Sequence, residues 1–330
     1  MKQFTVAAVL VLVLAPAFGA PKETKLPTKY AMKFGHAVKL LDAYNGNGAV
    51  LEEARAELYE VQKAHPRYAP AYRETARYMI MRGHINSLQF QPGSLEAADL
   101  SLKQALDIDP NYAEAFVLYG HLYKLMGRNQ DALRALLKAE KLGSSDPWLQ
   151  NNWADLLIED GKFEEAARRY RKVIDSQTKN QKATGTALEG LIKYYTAVGK
   201  LNEADEMYQK KISFQPDGAW GYGNYAQFLL CRKGEIDGSI AQSRKALAIM
   251  DYGVGRYWLA AALYGKWGQS TLQGTPDMAA KYLVEARALY SDPSEFVRNA
   301  GSCPPLGVIA HALALSKTPA DTPPPKNHLR

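Results

Sequence analysis

The chain of 330 residues has two cysteines, Cys231 and Cys303. It also lacks long β-branched runs and any apolar stretch of the ~20 residues that span a bilayer. The first shortage rules out a disulfide-built mini-domain, the second a sheet-dominated fold, and the third a spanning helix. Chemical motifs are missing as well. The six histidines (His36, His65, His84, His121, His311, His328) are scattered with no pair at metal-ligand spacing. There is no His-Glu-x-x-His, no Gly-x-Ser-x-Gly and no phosphate loop, and Gly46-Asn-Gly48 lacks the strand and third glycine of a dinucleotide fingerprint. The expectation is therefore no catalysis, no cofactor and no metal. The net charge of +7 is mild and spread out, unlike the clustered stripe of a nucleic-acid binder. It permits an acidic partner.

What the chain has is a period. Gly127, Gly161 and Gly199 are each followed five residues later by an alanine, Ala132, Ala166 and Ala204. The glycine steps are 34 and 38, and Gly234 and Gly268 continue with steps of 35 and 34. Gly83 precedes Gly127 by 44, one period plus ten, and Ala54 and Ala98 keep the same register. A repeat near 34 residues is the length of one helix–turn–helix hairpin. Within a unit, Phe116, Tyr119 and Tyr123 recur at helical spacing. Glycine suits the turn because it tolerates positive φ, and Pro66, Pro110 and Pro216 close second helices because proline cannot continue the ladder. A single hairpin cannot bury its apolar face, so neighbours must stack.

These residues resemble the tetratricopeptide repeat family. The clearest copy runs from Ala113 to Ala132, with Phe116, Tyr119, Gly120, Tyr123, Gly127 and Ala132 in the family's alternation of large and small. Others carry Trp153, Ala154, Gly161, Ala166 and Tyr170, then Leu191, Tyr195, Gly199, Ala204, Tyr208 and Pro216. The resemblance implies an all-α, right-handed superhelical solenoid of about seven hairpins plus a C-terminal capping helix.

The expected organisation is a signal peptide over 1–19, a polar linker over 20–28, the solenoid over 29–316 and a disordered Pro-rich tail over 317–330. Met1-Lys-Gln is a basic start, Phe4–Leu14 an apolar run, and Ala17-Phe-Gly19 fits the processing pattern, with cleavage after Gly19 or Ala20. Export, most simply to a bacterial periplasm, follows. Insertions are expected at 84–93 and 269–276, both at turns between paired helices. An even cysteine count in an exported protein permits a bridge. Cys231 falls inside the expected helix Tyr222–Arg232, however, and Cys303 in a Pro-flanked loop beyond the next hairpin, so two separate thiols are expected.

The resemblance places the ligand groove on the first helix of each hairpin. The residues on that face are Arg73, Arg77, His121, Lys124, Trp148, Asn151, Asn152 and Asp155, then Glu189, Lys193, Trp220, Asn224, Gln227 and Trp258. Asparagine offers a donor and an acceptor to a peptide backbone, and tryptophan offers flat apolar area. Asn152 falls at the family's ligand-contacting asparagine, and Asn224 one residue before it. The competing reading makes Trp148 and Trp220 packing residues and Arg73 and Arg77 a solvated face. Trp153 and Trp267 are assigned to packing. The leading expectation is a scaffold that binds a protein or peptide partner in envelope or secretion complex assembly. The alternatives are binding of an anionic polysaccharide, or a non-catalytic accessory subunit of an enzyme.

Overall fold

The computed structural model describes residues 22–86 and 89–317. The expected signal peptide lies outside these residues, as does the Pro-rich tail apart from Lys317. The chain forms two compact units, divided between Ala187 and Leu188.

The first unit holds four helical hairpins. They are α1 (Thr28–Ala43) with α2 (Gly48–Ala64), α3 (Ala69–Gly83) with α4 (Ser94–Ile108), α5 (Ala113–Leu125) with α6 (Asn129–Lys141), and α7 (Trp148–Glu159) with α8 (Phe163–Asp175). The helix α9 (Gln181–Ala197) begins in this unit and ends in the second. There it turns at Gly199 into α10 (Leu201–Phe214), and Lys211 of α10 pairs with Glu189 of α9 at 3.3 Å. Two more hairpins follow: α11 (Ala219–Phe228) with α12 (Ile236–Ile249), and α13 (Gly253–Leu272) with α14 (Pro276–Leu289). A short helix α15 (Ser294–Arg298) leads to α16 (Gly307–Lys317), which packs on α13 as the expected cap.

The turns explain the period. At Gly127, φ is +70°; its N–H bonds the Lys124 carbonyl at 2.9 Å and the Arg128 N–H reaches Tyr123 at 2.7 Å. This closes the helix with a left-handed residue, which glycine adopts at least cost. Gly161, Gly199 and Gly234 repeat the conformation at φ +73°, +76° and +75°. The repeated alanines Ala54, Ala98, Ala132, Ala166 and Ala204 are all buried to within 1% of full, so paired helices approach closely there.

Two glycines depart from the expected turns. Gly268 is buried inside α13, where a Cβ would meet the Val308 side chain at 2.7 Å and its backbone at 3.1 Å. The turn falls at Gly274, φ +69°, so half of the insertion at 269–276 lengthens α13 rather than forming a loop. Gly83 ends α3, and the first insertion forms a small antiparallel ribbon, β1 (His84–Asn86) with β2 (Gln89–Phe90). The expected polar linker is also tied down. The Glu23 N–H bonds the Arg67 carbonyl at 3.0 Å, and its carboxylate sits 2.6 Å from His65 Nδ1.

The cysteines correct the sequence reading: Cys231 and Cys303 form a disulfide, with Cα atoms 4.3 Å apart. After α14 the chain does not continue outward. α15 and two single 3-10 turns, Asn299–Gly301 and Pro304–Leu306, return it to the end of α11. There α11 gives way to a π-helical turn, Leu229–Lys233, that carries Cys231.

Candidate functional site

Each unit carries a concavity on its first helices. That of the first unit is a cavity of about 560 Å³, reached from α1, α3, α5, α7 and the start of α9. Its apolar wall includes Val38, Met81, Val117, Leu118 and Trp148.

Its arginines are spoken for. Glu74, 4% exposed, lies between Arg73 and Arg77 and accepts from both, the second at 3.3 Å. Arg73 also donates to Asp146 at 3.0 Å, and Arg77 to Asp42. Burial opposes the charge on Glu74, but the two guanidinium groups outweigh it and hold its carboxyl below the ordinary value. Burial opposes the Arg73 charge too, and Glu74 with Asp146 more than restores it. Arg73 and Arg77 thus line the cavity as expected of the groove, but as an interior ion network and not as the solvated face of the competing reading. The network binds α3 to α1 and to the entry of α7, where Asp146 caps the Trp148 N–H at 2.9 Å. Lys182 adds a half-buried ammonium on the Tyr44 carbonyl at 2.8 Å; burial, then Arg77, lowers its pKa against the pull of Asp42.

The asparagine pair is also corrected. Asn151 and Asn152 are 1% and 6% exposed. Asn151 donates to the Ala183 carbonyl and Asn152 to the Val117 carbonyl, both at 3.0 Å. Neighbours on a helix point about 100° apart, so one amide reaches the following helix α9 and the other the preceding hairpin. Both hold the repeat stack together, and Asn152 lines the cavity only in passing. Lys124 and Asp155 pair at 2.9 Å, with Asp155 also accepting from Tyr170 at 3.0 Å. His121 is half-buried at the cavity wall, and burial lowers its pKa, helped by Lys124 and opposed by Asp155. Trp148 both lines the cavity and packs on the cluster around Leu149 and Trp153. Trp153 and Trp267 are core, 8% and 5% exposed.

The second unit has a pocket of about 500 Å³ that contains Asn224, Gln227 and Trp258. Trp220 stays outside it, 53% exposed beside Tyr252. Lys193 pairs with Glu189 on the exposed side of α9 at 3.0 Å. The lining residues not foreseen include Tyr208 from a second helix, Arg232 from the π-helical turn, and Asn299 and Ser302 from the returning C-terminal segment. Asn299 donates to the Tyr257 hydroxyl at 2.6 Å, fixing that segment to α13. The signal that could have led to them was the cysteine pair, since Cys231 and Cys303 both line the pocket.

The architecture defines a class: a protein of helical hairpins repeated at a period near 34 residues, with concavities on the first helices. The family follows. The sequence model of the tetratricopeptide repeat matches residues 101–134, from mid-α4 into α6, so the chain carries a tetratricopeptide repeat there. No curated protein sequence matches it. Among solved structures, it resembles that of the APC/C hetero-tetramer Cut9-Hcn1 at 15% identity and TM-score 0.54, over 71% of this chain and 46% of that one. A monomeric IFIT1 mutant is 13% identical with TM-score 0.52, over 87% and 68%. PilF of Pseudomonas aeruginosa is 20% identical with TM-score 0.48, over 68% and 92%. For the first two, at these identities, the likeness concerns the fold. Among the described residues, no helix is long and apolar enough to cross a membrane, and no cluster of three metal-ligating side chains occurs.

Proposed function

We propose that this protein is an exported, non-catalytic scaffold that holds a segment of a partner protein against its first helices. The carrying observation is the first unit's cavity: it is largely apolar, about 560 Å³, and its buried arginines are matched by Glu74, Asp146 and Asp42. Such a site rewards an apolar side chain. The disulfide supports an oxidising compartment, since such bridges persist outside the reducing cytosol. A bacterial periplasm and a place in envelope or secretion complex assembly fit this reading.

The test is photo-crosslinking in cells, with the reactive residue at Val38 in the cavity or at Met32, which is 71% exposed on the same helix. Val38 should capture a discrete partner that Met32 does not, and Trp148→Ala should abolish the capture. Equal capture at both positions, or indifference to Trp148→Ala, would refute the cavity as the binding site. Turnover by the purified chain would refute the non-catalytic part. Cell fractionation with N-terminal sequencing tests export; a mature chain starting at Ala20 or Pro21 is expected.

A further inference from the structure

The pocket of the second unit has a chemistry of its own. Arg232 is its single charged lining residue. Several cations elsewhere in the unit have acids at hand: Lys233 pairs with Asp205 and Glu235 at 2.7 and 2.8 Å, Lys266 with Asp237 at 2.7 Å, and Arg256 with Asp251. Others, such as Lys245 and Lys281, have no ion pair among the described residues, but they lie outside the pocket. The exposed Arg232 side chain makes no ion pair or hydrogen bond with any described residue. The π-helical turn that presents it shifts the helix end by one residue, so the Glu235 N–H reaches back to the Leu229 carbonyl at 2.8 Å. Such turns are rare and recur at functional sites.

The surrounding groups are also uncommitted. Asn224 and Gln227, three residues apart on one face of α11, are exposed, and their side chains bond no described residue. The Thr196 hydroxyl is buried with no hydrogen-bond partner, a state that normally has an explanation. Trp258 supplies a flat apolar side.

We infer that this pocket binds an extended peptide segment through an acidic side chain, with Arg232 holding the carboxylate, Asn224 and Gln227 the main chain, and Trp258 the apolar flank. The disulfide completes the site. Asn299 and Ser302 belong to the segment that Cys303 ties to Cys231, so the far wall depends on the bridge. This adds a second site to the scaffold reading and does not rest on the cavity of the first unit.

The experiment is a calorimetric titration of the full mature chain with N-acetylated, C-amidated hexaglutamate, hexaglutamine and hexalysine. Saturable binding of hexaglutamate is expected, at least about tenfold tighter than hexaglutamine, the scale of a charge-assisted hydrogen bond. Arg232→Gln should cost about tenfold, Arg232→Lys less, and Cys303→Ser or dithiothreitol should weaken binding. Lys281→Gln on α14 and Trp148→Ala should leave it unchanged; the latter separates this site from the cavity. Circular dichroism confirms that each variant is folded. The inference is overturned by no saturation up to about 1 mM, by equal binding of hexalysine, or by Arg232→Gln binding like the parent. Equal binding of free-acid hexaglutamine would move recognition to the chain end and overturn the side-chain assignment.

Discussion

Glu74 is the residue on which the first unit's polar interior turns. Its removal leaves two guanidinium groups short of a shared buried acid, and breaking such a pair costs about 3–5 kcal/mol. Glu74→Gln should therefore lower the urea midpoint by that equivalent. The pH dependence has a definite sign. The folded pKa lies below the ordinary 4.5, so the contribution is complete above that value and is lost as pH falls through the lowered one. Urea titrations between pH 7 and 3 should show this loss, and Glu74→Gln should flatten it. Asn152→Ala removes a buried hydrogen bond to the Val117 carbonyl and should cost about 0.5–1.5 kcal/mol by the same measurement. The sequence could not disclose these roles. Arg73 beside Glu74 reads as a surface pair until Asp146, 73 positions away, is known to be its other partner. Asn152 reads as a ligand contact until its carbonyl partner, 35 positions back, is seen.

At the level of elements, most of the fold was legible because the hairpin turn makes a local demand. Positive φ at four positions draws glycine, close helix approach draws alanine, and together they imprint the period. Gly127→Ala should cost about 1 kcal/mol, the penalty of a Cβ in that region, without altering the packing. Gly120→Ala tests another use of glycine: its Cβ would fall 2.2 Å from the Leu136 side chain, and overpacking of this kind costs about 1–3 kcal/mol. Thermal unfolding of both variants checks the order. The period misled at Gly268, which sits in register yet serves the close approach of α16 to α13. Spacing alone cannot distinguish a glycine chosen for its φ from one chosen for its missing side chain.

At the scale of the whole molecule, seven hairpins and a capping helix match the sequence reading, whereas the bridge does not. Linear order placed Cys231 and Cys303 apart, because each hairpin was expected to add onward from the last. The return of the chain after α14 depends on contacts made by Phe296, Leu306 and Ile309, all fully buried, and no local pattern announces it. That return also brings Asn299, Ser302, Cys303 and Leu306 to the pocket. Closing a loop over a separation of 72 residues typically contributes about 2–4 kcal/mol. Cys231→Ser with Cys303→Ser should lower the urea midpoint accordingly, and dithiothreitol should match the double variant while leaving it unaffected.

The same bridge bears on how the protein matures. Two cysteines allow one intramolecular pairing, so oxidation has no wrong isomer to correct. An oxidant should suffice, with no need for an isomerase. Cys303 is made 72 residues after Cys231, so the earlier thiol must stay reduced until the seventh hairpin has been synthesised. A disulfide-linked dimer is the expected off-product wherever that wait is cut short.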